Sequence, residues 1–280
     1  MNARSNETGG EVASILNKAF ELLYSFNDSN RVMTLSQLSR ASGLPKSTVH
    51  RLLARLVDLG ALEHHRSGYK LGLGLLQLGA TTPAANMREL AIPFLVALQR
   101  WSGLTVSFAV LRQFDIVVIE RLSPLGETFN LGRVGARLPA NCTAAGKALL
   151  AEEDLDDLLA FMPERLPLLT PQSITDSSEF VEHLRIVRKS GVAREYGEAQ
   201  VGHESTAMAV VVNGVAVGAL TLSGPSGKAG GTVCGRTEEA LRRTVRQLET
   251  RCTEFIGDDD ERARLLPRTI TDPAPWDSTG

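Results

Sequence analysis

The stretch that most constrains this chain runs from Leu35 to Leu71, LSQLSRASGLPKSTVHRLLARLVDLGALEHHRSGYKL. Leu35, Leu38 and Ala41 recur at helical spacing, and Thr34 stands where an N-cap belongs. Gly43 supplies a tight turn, and Leu44 plugs the angle between two helices. Pro45 falls at a first-turn position, with the Ser47 and Thr48 hydroxyls near the same end. Val49, Leu52, Leu53, Leu56 and Leu59 form an inward stripe, which Gly60 closes. Ala61–His64 and Tyr69–Leu71 alternate as short strands around Arg66-Ser67-Gly68. A short helix, a turn, a second helix and a hairpin make a winged helix-turn-helix.

The opposite face of the second helix shows Lys46, Ser47, Thr48, His50, Arg51 and Arg55, with Arg66 at the hairpin tip. These are groove-side residue types. Arg and Lys reach phosphates or guanine edges, and Ser and Thr reach either. They are the candidate DNA-binding residues, although a basic helix face can also be merely solvated. Charge supports the first reading. Residues 1–82 carry nine Lys/Arg against six Asp/Glu, and the remainder 21 against 26, within a net charge of -2. A small basic module on an acidic body suits a nucleic-acid binder.

Upstream, residues 1–10 are polar and read as a disordered lead. Val12, Ile15, Leu16, Ala19, Phe20, Leu22, Leu23 and Phe26 then give an amphipathic helix ended by Asn27-Asp28-Ser29-Asn30. Hydrophobic content of 43% and charged content of 22% are globular values. No secretory signal or membrane span is visible. Cys142, Cys234 and Cys252 are too scattered for a disulfide framework or metal motif, so cytosolic thiols and a cytoplasmic location are expected.

The runs GLPKSTVHRLLARLVDLGALE and GYKLGLGLLQLG closely resemble the IclR-type transcriptional regulators. Two later blocks match in order: RVGARLPANCTAAGKALLA at 133–151 and GALTLSGP at 218–225. The resemblance covers about residues 11–255. It implies a GAF-like effector-binding domain after the winged helix. Members commonly carry a cysteine and a proline in the run corresponding to 195–212; here Ser205 stands in the cysteine's place and the proline is absent.

An α+β architecture is therefore expected: a winged helix at 11–78, a linker and coupling helix at 79–102, an effector domain at 103–256 with an antiparallel sheet, and a disordered tail at 257–280 that includes Trp276. Pro93 should start or kink the coupling helix. Trp101 on that helix reads as core. Two strands are expected within 105–122, separated at Arg112–Asp115, and others at 129–138, 205–212 and 216–224, the last two turned by Asn213-Gly214. Helices are expected from Ala144 and near 154–161, 178–190 and 236–256, with Asp154, Asp156 and Asp157 on a solvated helix face.

Asn141-Cys142-Thr143-Ala144-Ala145-Gly146-Lys147 opens a helix whose N–H groups and small side chains suit a small anion. The string lacks the spacing of a phosphate loop. The same small residues would also serve simple close packing. The resemblance implies effector binding by Cys142, Thr143, Ala144 and Ala145, faced by Glu195, Ser205, Thr221 and Ser223. No Cys/His pairing for catalysis and no metal spacing is present, so no enzyme activity, cofactor or metal is expected. The expected partners are double-stranded operator DNA, a small-molecule effector bearing a carboxylate, and a second copy in a homodimer or homotetramer. The expected output is repression, with activation as the alternative. A metabolite-binding enzyme and a protein-interaction adaptor are the competing classes.

Overall fold

A computed structural model describes residues 7–27, 29–124, 132–227, 235–257 and 266–267 of the chain. The chain divides into two units, Met1–Thr82 and Pro83–Gly280. The expected disordered tail, with Trp276, lies outside the described residues apart from Gly257 and residues 266–267. Cys234 also lies outside them.

In the first unit, α1 (Glu7–Tyr24) starts earlier than its apolar stripe, taking in part of the polar lead. α2 (Leu35–Ser42) opens on a capping box, in which the Gln37 N–H donates to Thr34 Oγ1 and the Thr34 N–H donates back to Gln37 Oε1. It ends at Gly43 in the left-handed region, φ 69°, which a side chain would resist. α3 (Lys46–Asp58) has Pro45 as its N-cap residue rather than inside its first turn. Its far end is a Schellman motif: the Ala61 N–H donates to Leu56 O and the Gly60 N–H to Val57 O. Leu22, Leu38, Val49, Leu52, Leu53, Leu56 and Leu62 form the core. Leu59 does not belong to the inward stripe. It is 79% exposed, because as the C-cap residue it sits where the chain leaves the helix. The wing is β1 (Leu62–His65) paired with β2 (Gly68–Leu71). The segment that follows forms a further helix, α4 (Leu73–Ala80).

Only Thr81 and Thr82 separate α4 from α5 (Pro83–Ser102), the first element of the second unit, so the expected linker at the start of 79–102 is two residues long. α5 runs through Pro93, which lies on its exposed side. Trp101, expected in the core, is 47% exposed near the helix end. The strands are β3 (Thr105–Arg112), β4 (Asp115–Leu122), β5 (Arg137–Pro139), β6 (Ala193–Tyr196), β7 (His203–Val212) and β8 (Val215–Pro225). They form one antiparallel sheet in the order β5-β4-β3-β8-β7-β6. The strand expected at 129–138 is shorter among the described residues, and β6 was not expected.

Helices cover both faces of this sheet. α5 and α9 (Gly235–Ile256) bury Met87, Leu95, Leu241 and Leu248 against Val106, Phe108, Met208, Leu220 and Leu222. α6 (Ala144–Leu150), α7 (Leu155–Phe161) and α8 (Ser177–Ser190) pack on the other side, which presents Ala109, Ala207 and Ala219. Asp154 is more than a solvated charge. It caps α7, its carboxylate accepting from the Asp156 and Asp157 N–H groups.

Candidate functional site

The first unit carries an exposed basic surface. Burial of Val49, Leu52, Leu53 and Leu56 turns the other side of α3 outward, so Lys46, Ser47, His50, Arg51 and Arg55 are exposed and Thr48 is half-buried. Arg66 is exposed at the wing tip. Arg55 differs from the rest, since Asp58 lies 3.8 Å from its guanidinium. The wing is braced from its base: Lys70 pairs with Glu63 at 2.9 Å, and Glu63 Oε1 accepts from the Leu73 N–H at 3.1 Å. At the tip His65 Nδ1 lies 3.0 Å from Ser67 Oγ, and the His64 ring rests 5.1 Å from that of Tyr69. These contacts support the hairpin that carries Arg66 at its tip.

The second unit contains a cavity of about 50 Å³ between the sheet and α6. Two rows of side chains cross the sheet beneath it. One is Arg121, Ser107 and Thr221, on β4, β3 and β8. The other is Thr105, Ser223, Ser205 and Glu195, on β3, β8, β7 and β6. All seven line the cavity, together with Thr143, Ala144 and Ala145 above and Ile116, Val118 and Leu138 at one end. β-Bulges create these rows. In the β3–β4 pair Ile119 is the extra residue, because Phe108 opposes Glu120 while Ala109 opposes Val118. In β7–β8 it is Val217, between the pairs Val210–Gly218 and Val211–Ala216. Each extra residue reverses the alternation of its strand. Arg121 in one hairpin, and Thr221 and Ser223 in the other, are thereby turned toward the cavity.

Seven of the eight expected effector residues line this cavity: Thr143, Ala144, Ala145, Glu195, Ser205, Thr221 and Ser223. Cys142 does not. Its thiol points to Pro167 O at 3.5 Å, and burial pushes its pKa up. Arg121, Ser107 and Thr105 were missed. The small residues divide between two places. Ala144 and Ala145 face the cavity, while Gly146 serves close packing: a Cβ there would lie 2.3 Å from the Ala140 backbone. Thr143 caps α6, its Oγ1 accepting from the Gly146 N–H at 3.1 Å.

Glu195 is buried at one end of its row. Its Oε1 accepts from Ser205 Oγ at 2.9 Å, and its Oε2 from the Glu198 and Ala199 N–H groups at 2.9 and 3.4 Å. Burial raises its pKa, and these donors work against that rise. Ser223 Oγ donates to Ser205 Oγ at 3.1 Å. Thr221 Oγ1 is buried and has no hydrogen-bond partner among the described residues. Behind α6, Lys147 is fully buried, with Nζ 2.5 and 2.7 Å from the two Glu198 oxygens. Nothing in the local sequence around Lys147, which lacks phosphate-loop spacing, points to this distant partner. Thr170 Oγ1 and Ser173 Oγ donate to the Gly197 and Glu198 carbonyls at 2.6 and 2.9 Å. The turn after β6 is therefore clamped from three sides.

A DNA-reading winged helix joined to a sheet unit with a small polar cavity defines a DNA-binding transcriptional regulator with an effector domain. The chain belongs to the IclR family of bacterial transcriptional regulators. Residues 16–66 match the IclR helix-turn-helix domain, and residues 79–250 match the bacterial transcriptional regulator IclR C-terminal domain. The chain is 29% identical over 245 residues to the HTH-type transcriptional repressor AllR of Escherichia coli, covering 85% of this chain and 90% of AllR. It is 29% identical over 214 residues to the p-hydroxybenzoate hydroxylase transcriptional activator of Acinetobacter baylyi, covering 73% of this chain and 79% of the activator. Among solved structures, an IclR homolog from Microbacterium hydrocarbonoxydans complexed with 4-hydroxybenzoate superposes with a TM-score of 0.75 at 28% identity, covering 85% of this chain and 98% of that one. These homologues are regulators, not enzymes. Among the described residues no helix is long and apolar enough to cross a membrane.

Proposed function

We propose that this chain is a cytoplasmic repressor without catalytic activity, released from its operator by an organic acid bound in the sheet cavity. The observation that carries this reading is the division of labour between the units: exposed cationic residues on α3 and the wing in one, and a small cavity with a basic residue and a buried hydroxyl in the other. The repressor AllR and the 4-hydroxybenzoate complex among its relatives support repression and an acid effector respectively. Lys46, Ser47, Thr48, His50, Arg51 and Arg66 meet the DNA, and Arg55 contributes less because Asp58 partly neutralises it.

The operator is read by a dimer, since one recognition helix covers only a half-site. Exposed apolar residues support self-association: Leu16, Phe20 and Tyr24 on α1, and Leu73, Leu76 and Leu78 on α4. The cavity, about 50 Å³, is smaller than the roughly 150 Å³ cavity that accepts benzene. A ring-sized acid must push a wall outward, which gives it different affinities for two conformations, as a switch requires. α5 is the coupling element: it follows α4 of the first unit after two residues and is built into the core of the second.

The test is a titration of the DNA upstream of the chain's own gene, followed by fluorescence anisotropy at several salt concentrations. Affinity should fall steeply with salt. Lys46→Ala and Arg66→Ala should each flatten the log–log slope by about one unit, and Arg55→Ala by less. Binding that ignores salt would remove the DNA interface from these residues.

A further inference from the structure

The row that ends on Glu195 does more than line the cavity. An ionised carboxylate only accepts hydrogen bonds. Glu195 Oε2 is held by two backbone N–H groups, and Oε1 takes the Ser205 proton. Ser205 must then accept from Ser223, whose own proton is committed in that direction at 3.1 Å. Thr105, next in the row, donates away from it to Ser123 at 3.2 Å. Among the described residues nothing donates to Ser223 Oγ. The buried carboxylate thus aligns the hydroxyl protons of the row and leaves lone pairs at its cavity end. Beside them sits Thr221 Oγ1, 5% exposed at residue level and without a partner among the described residues.

Resting on the reading of this cavity as the effector site, we infer that Glu195 sets the donor–acceptor polarity of the pocket, so that the effector is an organic acid carrying a hydrogen-bond donor, a hydroxyl or amine, at the end opposite its carboxylate. Arg121, in the neighbouring row two strands from Ser223, supplies positive charge for the acid end. Two strand spacings separate those backbones by about 10 Å. A para-substituted ring spans that gap once both side chains reach in. An acid whose far group only accepts meets lone pair against lone pair at Ser223.

The consequence is a reversible selectivity. In Glu195→Gln the amide orientation is forced, because the Glu198 and Ala199 N–H groups still need the oxygen. The amide nitrogen then faces Ser205 and donates to it. Ser205 turns its proton to Ser223, and Ser223 turns its own toward the cavity. The same pocket then favours an acceptor.

Calorimetric titration of the full-length chain with three probes tests this: 4-aminobenzoate, whose far group donates; 4-formylbenzoate, whose far group only accepts; and 4-hydroxybenzoate, which does both. The wild type should bind 4-aminobenzoate about tenfold more tightly than 4-formylbenzoate, the discrimination of roughly one hydrogen bond. Glu195→Gln should abolish or invert that ratio, while 4-hydroxybenzoate stays within about threefold in both proteins, since its group serves either polarity. Ser223→Ala should bring the amino and formyl acids to the same affinity. Cooperative thermal melting of each variant separates a loss of fold from a loss of selectivity. A wild-type ratio near one, a ratio that survives Glu195→Gln in a folded protein, or no binding of any of the three acids would overturn the inference. Binding that persists in Ala145→Leu, which fills the cavity, would instead overturn the reading of the cavity on which the inference rests.

Discussion

The two faces of the six-stranded sheet are built from the same strands but to opposite ends. The face under α5 and α9 is lined by Val106, Phe108, Val110, Met208, Val210, Leu220 and Leu222. Gly218 lies there because its missing side chain is where the Phe108 ring packs, a Cβ coming within 2.3 Å of that ring. The face under α6 offers alanines where the helix touches it, and a hydroxyl-rich double row where it does not. Large side chains on one face supply the stability that lets the other leave a void and an unpartnered hydroxyl. Dry packing and a receptive pocket are thus separated by the thickness of one sheet.

The largest effect should come from the buried charge pair that braces the pocket face. Lys147→Met leaves Glu198 buried without its counter-ion and should destabilise the second unit by about 3–5 kcal/mol in urea unfolding. Lys147→Met combined with Glu198→Leu should recover most of that loss, because two apolar groups replace the pair. If the single variant lost less than about 1 kcal/mol, the pair would be behaving as a solvated one. Next in size is the dry face. Leu220→Ala should cost about 3 kcal/mol through lost burial and the cavity left behind, with no change in the ratio of acid affinities. A change in that ratio would mean the two faces are not independent.

How much of this contrast was legible in the sequence differs between the units. The winged helix was legible because its signals are local: the stripe Val49, Leu52, Leu53 and Leu56 and the Thr34 cap lie within a few residues of what they determine. α4 was not, because LGLLQLGA is apolar nearly all round and buries none of its residues, so it has no stripe to read. β6 was missed because four residues, Ala193–Tyr196, at a sheet edge and including two charges, do not alternate convincingly. The pocket residues Glu195, Ser205, Thr221 and Ser223 came from family resemblance and not from pattern. Counting back from the Asn213-Gly214 turn would set Ser205 opposite Leu222. The bulge at Val217 moves it to Ser223. Arg121 was hidden for the same reason, by the bulge at Ile119. A one-residue irregularity changes which face a side chain serves, and no local propensity announces it.

A smaller effect is expected from His183 on α8. Burial first, and the Lys147 charge second, hold its imidazole down at about 4 against an ordinary 6.5. The unfolded chain binds this proton below pH 6.5, while the folded chain does not until about 4. The contribution of His183 to stability is therefore full above pH 6.5 and is lost progressively as pH falls toward 4, by about 1–2 kcal/mol after discounting its partial exposure. Glu152, Glu195 and Glu249, whose carboxyl pKa values burial raises, give the opposite slope in the acid range. The readout is therefore the difference between wild type and His183→Gln in urea unfolding at pH 7 and pH 5. The variant should lose less stability on acidification. Equal losses would show that His183 takes up its proton in the folded state.

The smallest expected change in stability is the one that most directly contrasts the two faces, and its sign is positive. Thr221 presents a buried hydroxyl with no partner among the described residues. Val has nearly the same shape and no hydroxyl. On the dry face such a change at a satisfied group would be neutral or harmful. Here Thr221→Val removes an unmet desolvation cost and should raise stability by about 1 kcal/mol, or a few degrees in melting temperature. The same variant should weaken 4-hydroxybenzoate binding and blunt its release of operator DNA, because the hydroxyl is kept for the ligand at the expense of the empty fold. A variant that loses stability would mean that the hydroxyl is already satisfied, by water in the cavity. One that gains stability and keeps its full response to the acid would place the effector away from β8.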